Sequence, residues 1–287
     1  SGSVVVRELT PSSLKGFDFA LFSAGSSVSK EYAPIAAREG AIVIDNSSAF
    51  RMDDAVPLVV PEVNPGDIAR HRGIIANPNC STIQMVVALK PLHDRASIRR
   101  VIVTTFQAVS GAGARAIEET KAESRALLEA RPGAHAIFPR QIGFNVIPQI
   151  PQKDAFLPDG STSEEEKMVK ETVKIMGCAA IRVHATCVRV PVLNGHSESV
   201  VIETEKKLTP SEACRLLAAA PGIVLSEHPE DYPTPAEISG RGEVFVGRVR
   251  EDKTVPNGLS LWVVADNILK GAALNAVQIA EYLIRRD

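Results

Sequence analysis

Short apolar runs alternate with polar stretches through the first third of the chain. Residues 17–22, 41–45, 58–60 and 74–76 are apolar runs of strand length, each followed by serine, asparagine or proline. Residues 33–40 have the spacing of a short helix. Strands that alternate with helices or loops favour βα units on a parallel sheet.

The middle of the chain carries longer helical patterns. Apolar spacing predicts a helix over residues 83–92, and a strand at 101–106 leads into a long polar helix over 115–129. Residues 131–160 contain several prolines and glycines and are interpreted as a loop. Ser163 is predicted to cap a charged helix that runs to about residue 176, with Glu166 completing a capping box.

The remainder is rich in strands. The predicted strands are 186–192, 198–204, 244–250 and 261–265, and the predicted helices are 210–220 and 269–286. Strands with helices set to one side favour an α+β second domain. The last helix has an apolar face that suits packing back on the first domain.

Charge and cysteine content exclude several classes of protein. The formal net charge of the 287 residues is −2, so no broad basic field exists for nucleic acid or an anionic membrane. No apolar run reaches the length of a membrane span, and the start does not resemble a signal peptide. The four cysteines form no Cys-x-x-Cys pair, so neither a metal site nor a disulfide framework is expected. A cytoplasmic location is predicted.

Cys80 occupies a position that favours reactivity. It follows Asn-Pro-Asn (77–79), which cannot continue a regular element, and Ser81 or Thr82 can open the helix after it. A thiol at a helix N-terminus meets unpaired N–H groups that favour the thiolate, the nucleophile that attacks carbonyl carbon. The alternative is a small buried hydrophobe, as most free cysteines are.

His196 is the histidine best placed to serve that thiol. It follows Asn-Gly (194–195), a hairpin turn signal. A hairpin there would pair Leu193 with His196 and Arg189 with Val200, which puts Arg189 and His196 on one face. A cation beside a proton carrier suits an anionic substrate. A solvated hairpin tip is at least as compatible with the spacing.

Two further patterns leave their interpretation open. Residues 111–116 fit the dinucleotide fingerprint G-x-G-x-x-A, but residues 128–133 do not form the second strand that this motif expects. They are interpreted as a tight turn near a ligand rather than as a Rossmann start. Glu164 and Lys167 lie on one helix face, where an exposed ion pair is the simplest interpretation.

Short segments along nearly the whole chain resemble the segments of one protein family and occur in the same order. They are FSAGSS (22–27), IDNSSAFR (44–51), PLVVPEVN (57–64), GIIANPNCSTIQMVVALKPL (73–92), FQAVSGAG (106–113), FNVIPQI (144–150), EEEKMVKETVKIM (164–176), ATCVRVPV (185–192), HSESV (196–200), VGRVR (246–250) and DNILKGAALNAVQIAE (266–281). Together they resemble the aspartate-semialdehyde dehydrogenase family. N-x-C-S/T alone would also fit two related groups of reductases that act on acyl phosphates.

The resemblance implies an α/β fold with two domains. An incomplete Rossmann-type NADP-binding domain would comprise residues 1–79 and 266–287, without its first βαβ unit. An α+β catalytic and dimerisation domain of the glyceraldehyde-phosphate dehydrogenase-like kind would comprise residues 80–265. A homodimer or homotetramer with a small-molecule substrate is implied as well.

The resemblance also implies the roles of individual residues. Cys80 would be the nucleophile, His196 the general acid and base, and Gln107 the group that positions the carbonyl. Arg189 would bind the substrate carboxylate as a fork and Glu164 its amino group. The remaining implied roles are phosphate binding by Arg51 and Lys167, and NADP binding by Ser110, Gly111, Asn267 and Gly25.

The implied reaction is the reductive dephosphorylation of aspartyl phosphate through a Cys80 thioester, in the pathway to lysine, threonine, methionine and isoleucine. Family members begin with a strand and a Gly-rich phosphate turn that this sequence does not contain, so a chain of only these residues is expected to bind NADP weakly. The alternatives are a non-catalytic chain of the same fold and a related reductase with another acyl phosphate. Retention of Cys80, Gln107, Arg189 and His196 favours the enzyme.

Overall fold

A computed structural model describes residues 5–285 of the chain. These residues form two compact units, and each is described by itself. The first unit extends to Pro78 and resumes at Ala276, and the second unit is Asn79–Asn275.

The first unit is built on a three-stranded parallel sheet. Strands β1 (Phe19–Phe22), β2 (Ile42–Asp45) and β3 (Ile74–Ala76) lie in that order. Helix α1 (Ser26–Arg38) connects the first two strands, as a βα unit requires. This agrees with the parallel sheet that the alternating pattern predicts.

Helix α1 starts earlier than the sequence predicts, and a predicted strand is almost absent. The predicted helix begins at residue 33, whereas α1 begins at Ser26 and continues through Pro34, although proline is rare in helix interiors. The predicted strand at 58–60 is reduced to one bridge from Leu58 to Ala76. The chain turns at Val60, because its N–H donates to the Asn64 side chain at 2.9 Å.

The second unit centres on a six-stranded mixed sheet. Its order is β5-β4-β6-β9-β8-β7. The strands are β4 (Ile98–Gln107), β5 (Arg182–Arg189), β6 (His196–Thr204), β7 (Ile223–Leu225), β8 (Val244–Asp252) and β9 (Gly258–Ala265). β4 is parallel to β5 and antiparallel to β6, and this strand, which lies between them, positions the site described below.

The helices of the second unit supply the other half of its core. They are α2 (Cys80–Ala96), α3 (Ala114–Leu128), α4 (Ser163–Met176), α5 (Pro210–Ala219) and α6 (Pro235–Ile238). The last helix of the chain, α7 (Leu274–Ile284), follows a π-helical turn, Leu269–Ala273. Residues 81–89 of α2 are all buried, so this helix runs inside the unit rather than along its surface.

The predicted cap of α4 is wrong by one residue. Thr162 is the N-cap, and its partner in the capping box is Glu165 rather than Glu166. Ser and Thr are both good caps, and three successive glutamates follow, so the sequence offers two registers one residue apart. Thr162 is buried, and this burial distinguishes it from Ser163.

The predicted hairpin between residues 189 and 196 is also wrong. β5 and β6 are not neighbours, because β4 lies between them and pairs with both. Leu193 therefore does not pair with His196, and Arg189 pairs with Gln107 instead of Val200. The Asn-Gly turn exists, but it carries the chain across one intervening strand.

The long loop over residues 131–160 is held by two glutamates of α3. Glu119 accepts the N–H groups of Ala136, Ile137 and Phe138 at 2.7–3.0 Å. Glu123, which is 1% exposed, accepts those of residues 142 and 143 at 2.7 Å. The loop is thus ordered by carboxylates that satisfy its backbone donors.

Candidate active site

Cys80 is the first residue of α2. The N-cap is Asn79, whose Oδ1 accepts the N–H groups of Ser81 and Thr82 at 3.0 and 3.2 Å. Asn79 rather than Ser81 or Thr82 therefore opens the helix, and the thiol sits at its positive end. This geometry favours the thiolate form of Cys80.

Three polar side chains extend from neighbouring strands as one row. Arg189 ends β5, Gln107 ends β4 and His196 begins β6, and they are 3%, 1% and 0% exposed. We call these three residues the catalytic row. Ala108 joins its two ends, since its N–H donates to His196 Nδ1 at 3.0 Å and its carbonyl accepts Arg189 Nη1 at 2.7 Å.

The tautomer of His196 follows from that contact. Because Nδ1 accepts a hydrogen bond, the proton of the neutral ring is on Nε2. Nε2 is buried and has no hydrogen-bond partner among residues 5–285. Burial, assisted by the Arg189 cation, lowers the pKa of His196 well below its usual 6.5. The imidazole is therefore neutral at pH 7 and presents an unpaired N–H donor.

Glu164 is a buried carboxylate with three donors. Its Oε1 accepts Asn79 Nδ2 at 2.8 Å and Gln107 Nε2 at 3.3 Å, and its Oε2 faces Lys167 Nζ at 3.3 Å. Burial alone would raise its pKa, but Lys167 and these hydrogen bonds outweigh burial and hold the pKa below its usual value. The pair with Lys167 is thus not an exposed surface pair, because Glu164 is 5% exposed.

The charge of Arg189 interacts with two acidic groups of the site, Glu164 and Cys80. Burial lowers the pKa of Arg189, whereas the negative charges of Glu164 and Cys80 oppose that shift. Gly111 lies against the same group: a Cβ on it would be 3.1 Å from Arg189 Nη1 and 3.4 Å from the His196 ring. Only a glycine leaves this space open beside the cation and the imidazole.

A second polar cluster involves Ser110 and Asn267. The Asn267 amide lies 3.0–3.1 Å from Ser110 Oγ, and its Oδ1 accepts the Gly195 N–H at 2.9 Å. Asn267 follows Asp266, whose carboxylate accepts the N–H groups of residues 240, 268 and 269 at 2.9–3.0 Å. The cluster is therefore a fixed arrangement of polar groups rather than a mobile surface.

Two of the sequence-predicted residues lie in the first unit. Gly25 is the N-cap of α1 with φ of 96°, and no side chain caps the helix there. The space around its Cα is open, so the first turn of α1 can approach an anion. Arg51 is 9% exposed and donates from Nη2 to the Asn46 carbonyl at 2.8 Å. Its partner in the predicted phosphate pair, Lys167, belongs to the second unit.

Comparison with known proteins identifies the family. The family model described as "Semialdehyde dehydrogenase, dimerisation domain" matches residues 89–270, and "Semialdehyde dehydrogenase, NAD binding domain" matches residues 2–71. An aspartate-semialdehyde dehydrogenase of Aquifex aeolicus is 59% identical over 279 residues, which are 95% of this chain and 81% of the relative. The chain belongs to the aspartate-semialdehyde dehydrogenase family.

Solved structures agree. Aspartate semialdehyde dehydrogenase II of Vibrio cholerae, complexed with ASA, has a TM-score of 0.90 and 51% identity over 93% of this chain and 79% of that chain. The Candida albicans enzyme with NADP has a TM-score of 0.72 and 26% identity over 93% of this chain and 77% of that chain. This chain thus spans about four fifths of the length of these relatives.

Family membership confirms the predicted class of protein. The chain is an oxidoreductase of amino-acid biosynthesis, and it contains a region that matches the NAD binding domain of the family and a region that matches its dimerisation domain. The α/β architecture is confirmed as well. Across residues 5–285, no helix is long and apolar enough to cross a membrane, and no cluster of three potential metal ligands occurs.

Sequence reasoning about this dehydrogenase missed two residues beside the thiol. Asn79 combines helix capping with a hydrogen bond to Glu164, and only its place before the helix hinted at this. Gly271 lies so close that a Cβ on it would be 2.7 Å from the Cβ of Cys80. Nothing in the motif DNILKGAA indicates that contact, because it joins segments that are distant in sequence.

Proposed function

We propose that Cys80 is the nucleophile with which this chain performs the reaction of its family, the reductive dephosphorylation of aspartyl phosphate to aspartate semialdehyde. The observation that carries the proposal is the buried, neutral His196 whose Nε2–H has no partner among the described residues, in one row with Arg189, whose charge interacts with Cys80. A buried donor without a partner is costly, so its natural acceptor is a substrate atom.

In the proposed reaction the Cys80 thiolate attacks the acyl carbon, phosphate departs, and a thioester remains on the sulfur. The helix N-terminus and the positive charge of Arg189 stabilise the thiolate before attack. His196 Nε2–H donates to the substrate oxygen when that oxygen becomes negative and handles its proton when the thiol is released.

Substrate recognition is assigned to the charges around the catalytic row. Arg189 offers a planar fork to the substrate carboxylate, and a lysine could not match that geometry. Glu164 is held as a carboxylate, which suits the substrate amino group. Gln107 directs its amide toward Glu164 at 3.3 Å and lies beside His196 along the sheet, where it can orient the acyl group.

Phosphate binding is assigned to Arg51 and Lys167. Lys167 is one-third exposed, so its ammonium can turn from Glu164 toward an incoming phosphate. Arg51 is a buried guanidinium in the first unit, and guanidinium groups bind phosphate as a fork. Each residue is proposed for this role within its own unit.

The residues present fit the nicotinamide dinucleotide. Ser110 and Asn267 form a fixed amide and hydroxyl pair, Gly111 removes the side chain that would obstruct an approach, and Gly25 leaves a helix N-terminus open for a phosphate. NADPH supplies the hydride that reduces the acyl group when it is bound. Each of these residues is proposed as a contact of the dinucleotide within its own unit.

We further propose that the chain acts in the cytoplasm as a homodimer or homotetramer through the second unit. The strands of its sheet alternate, so Thr104, Phe106 and Val201 lie half-buried on the face opposite the catalytic row. Such a face suits a second copy of the chain. Light scattering of the purified protein measures the oligomer directly.

The experiment that tests the proposed reaction runs it in reverse. The chain is given aspartate semialdehyde, NADP and phosphate, and NADPH absorbance is followed. Tryptic mass spectrometry after an acid quench then locates the acyl group. Acylation of the Cys80 peptide with NADPH formation supports the proposal. Acylation elsewhere would refute the role of Cys80. Faster turnover with N-acetylglutamate semialdehyde would refute the substrate.

A further inference from the structure

A second buried polar row lies directly behind the catalytic row. The register places Thr105 of β4 beside Cys187 of β5 on one side and beside Glu198 of β6 on the other. All three are 0% exposed. Since side chains two residues apart in a strand share a face, Glu198 lies on the same side of the sheet as His196.

Glu198 and its neighbour on α2 both have buried oxygen atoms without a hydrogen-bond donor among the described residues. Its side-chain neighbour is Gln84 of α2, which is also 0% exposed. Among the described residues, neither carboxyl oxygen of Glu198 has a hydrogen-bond donor, and Gln84 Oε1 has none either. The Gln84 Nε2 is directed elsewhere, to the His196 carbonyl at 3.4 Å.

A single proton on Glu198 supplies the donor that these buried oxygen atoms lack. With Glu198 ionised and the amide oriented toward the His196 carbonyl, the Glu198 oxygens and Gln84 Oε1 would remain buried without a donor, at considerable cost. With Glu198 protonated, its O–H donates to Gln84 Oε1, and Gln84 Nε2 keeps its bond to the His196 carbonyl. Rotating the amide by half a turn would pair an ionised Glu198 but would deprive the His196 carbonyl of that donor.

Gln84 connects Glu198 to the helix that carries Cys80. Gln84 lies four residues after Cys80, and residues four apart share one helix face. Through Gln84, the nucleophile's helix is therefore joined to β6 at two points: the His196 carbonyl and the Glu198 side chain.

We propose that Glu198 is a neutral, hydrogen-bond-donating carboxylic acid that positions Cys80 against His196 through Gln84. It is a positioning residue, because it reaches neither substrate nor cofactor. Burial raises the pKa of Glu198 well above its usual value, with the Gln84 contact opposing this only in part. The other titratable group of the row, Cys187, has its thiol pKa raised by burial and by nearby carboxylates including Glu198, and it stays neutral as well.

The first test compares two replacements of Glu198. Glu198→Gln retains an N–H donor at the position of the proposed O–H, so kcat is expected to stay within about threefold of the unsubstituted chain. Glu198→Leu retains the volume but no donor, so kcat is expected to fall about tenfold or more with KM little changed. Glu205→Leu, at an exposed position directly after the same strand, is the control and should leave kcat unchanged.

Three readouts separate positioning from simple stability. The rate of Cys80 alkylation by iodoacetamide against pH reports the thiol directly, and it should change in Glu198→Leu but not in Glu198→Gln. The thermal midpoint shows that each variant is folded. Infrared difference spectra between the unsubstituted chain and Glu198→Gln should contain the C=O band of a protonated carboxyl at neutral pH.

Two outcomes would overturn the inference. An equal loss of kcat in Glu198→Gln and Glu198→Leu would mean that the negative charge of Glu198 is required. A carboxylate band in the infrared difference spectrum would show that Glu198 is ionised. A lower thermal midpoint in Glu198→Leu with unchanged kcat and alkylation rate would leave Glu198 a structural residue only. As a rescue, Gln84→Glu combined with Glu198→Gln reverses donor and acceptor. It should recover most of the activity that Gln84→Glu alone loses.

Discussion

His196 Nδ1 accepts the backbone N–H of Ala108 at 3.0 Å, and this one contact fixes which ring nitrogen carries the proton. A backbone donor is always protonated, so the imidazole has no alternative tautomer while β4 and β6 stay paired. The reactive Nε2–H is thereby set by the sheet, without the carboxylate that orients histidine in many hydrolases.

Replacement of the thiol is expected to stop the reaction. Cys80→Ala should lower kcat by at least about a thousandfold, because no other nucleophile can form the thioester. Cys214→Ala is the control, since burial and Glu227 raise the pKa of the Cys214 thiol and keep it unreactive. Substantial NADPH formation by Cys80→Ala would disprove the assignment.

The lowered pKa of His196 predicts a dependence of stability on pH. The unfolded chain takes up a proton at about pH 6.5, whereas folded His196 does not until a much lower pH. Its contribution is therefore fully present above 6.5 and is lost as the pH falls toward the folded value. Below 6.5 the free energy of unfolding should fall by up to about 1.4 kcal/mol per pH unit on this account.

Urea unfolding at about pH 7 and about pH 5 measures that loss. His196→Asn cannot titrate, so its free energy of unfolding should fall less over the same interval. His184→Asn is the control, because His184 is exposed. Equal slopes in all three chains would rule out the buried neutral imidazole.

A methyl group at position 271 should disturb the nucleophile. The Cβ of Gly271→Ala would lie 2.7 Å from the Cβ and 3.2 Å from the Cα of Cys80, so one backbone must shift. We expect kcat to fall about tenfold or more in a folded protein, with slower alkylation of Cys80. Gly66→Ala, where a Cβ meets nothing within 4 Å, should behave as the unsubstituted chain. Unchanged kinetics in Gly271→Ala would show that a side chain at position 271 does not disturb Cys80.

Arg189 should not be replaceable by lysine. Arg189→Lys keeps the charge but loses the fork and the bond to the Ala108 carbonyl. We expect kcat/KM for aspartate semialdehyde to fall about a hundredfold. Arg182→Lys, at the exposed start of the same strand, is the control. A small change in KM for Arg189→Lys would argue against carboxylate binding there.

Local patterns predicted much of the fold and the position of the nucleophile. The turn before Cys80 and the helix after it are encoded within a few residues, as are the strands of the first sheet. The cap of α4 was displaced because Thr162 and Ser163 compete for one role. The start of α1 was missed because its first seven residues, SSVSKEY, are mostly polar and show no apolar spacing.

Pairings between distant segments could not be predicted in this way. Spacing indicated that Arg189 and His196 share a side, and the structure does bring them together, but through Ala108 instead of a hairpin. The insertion of β4 depends on the stability of a ten-residue strand with two partners, which no local signal expresses. Asn79, Gly271 and Glu198 were missed for the same reason.

The position of β4 between β5 and β6 also determines when the site can form during folding. The catalytic row needs the end of β4 to meet strands whose partner residues lie more than 80 positions away. Closing such long loops is slow, because chain entropy is lost before the contacts reward it. The helix that carries Cys80 can form early from local signals. His196 and Arg189 take up their positions only when the sheet is complete. During synthesis, the Cys80 thiol would therefore be present at its helix end well before the rest of the active site has formed.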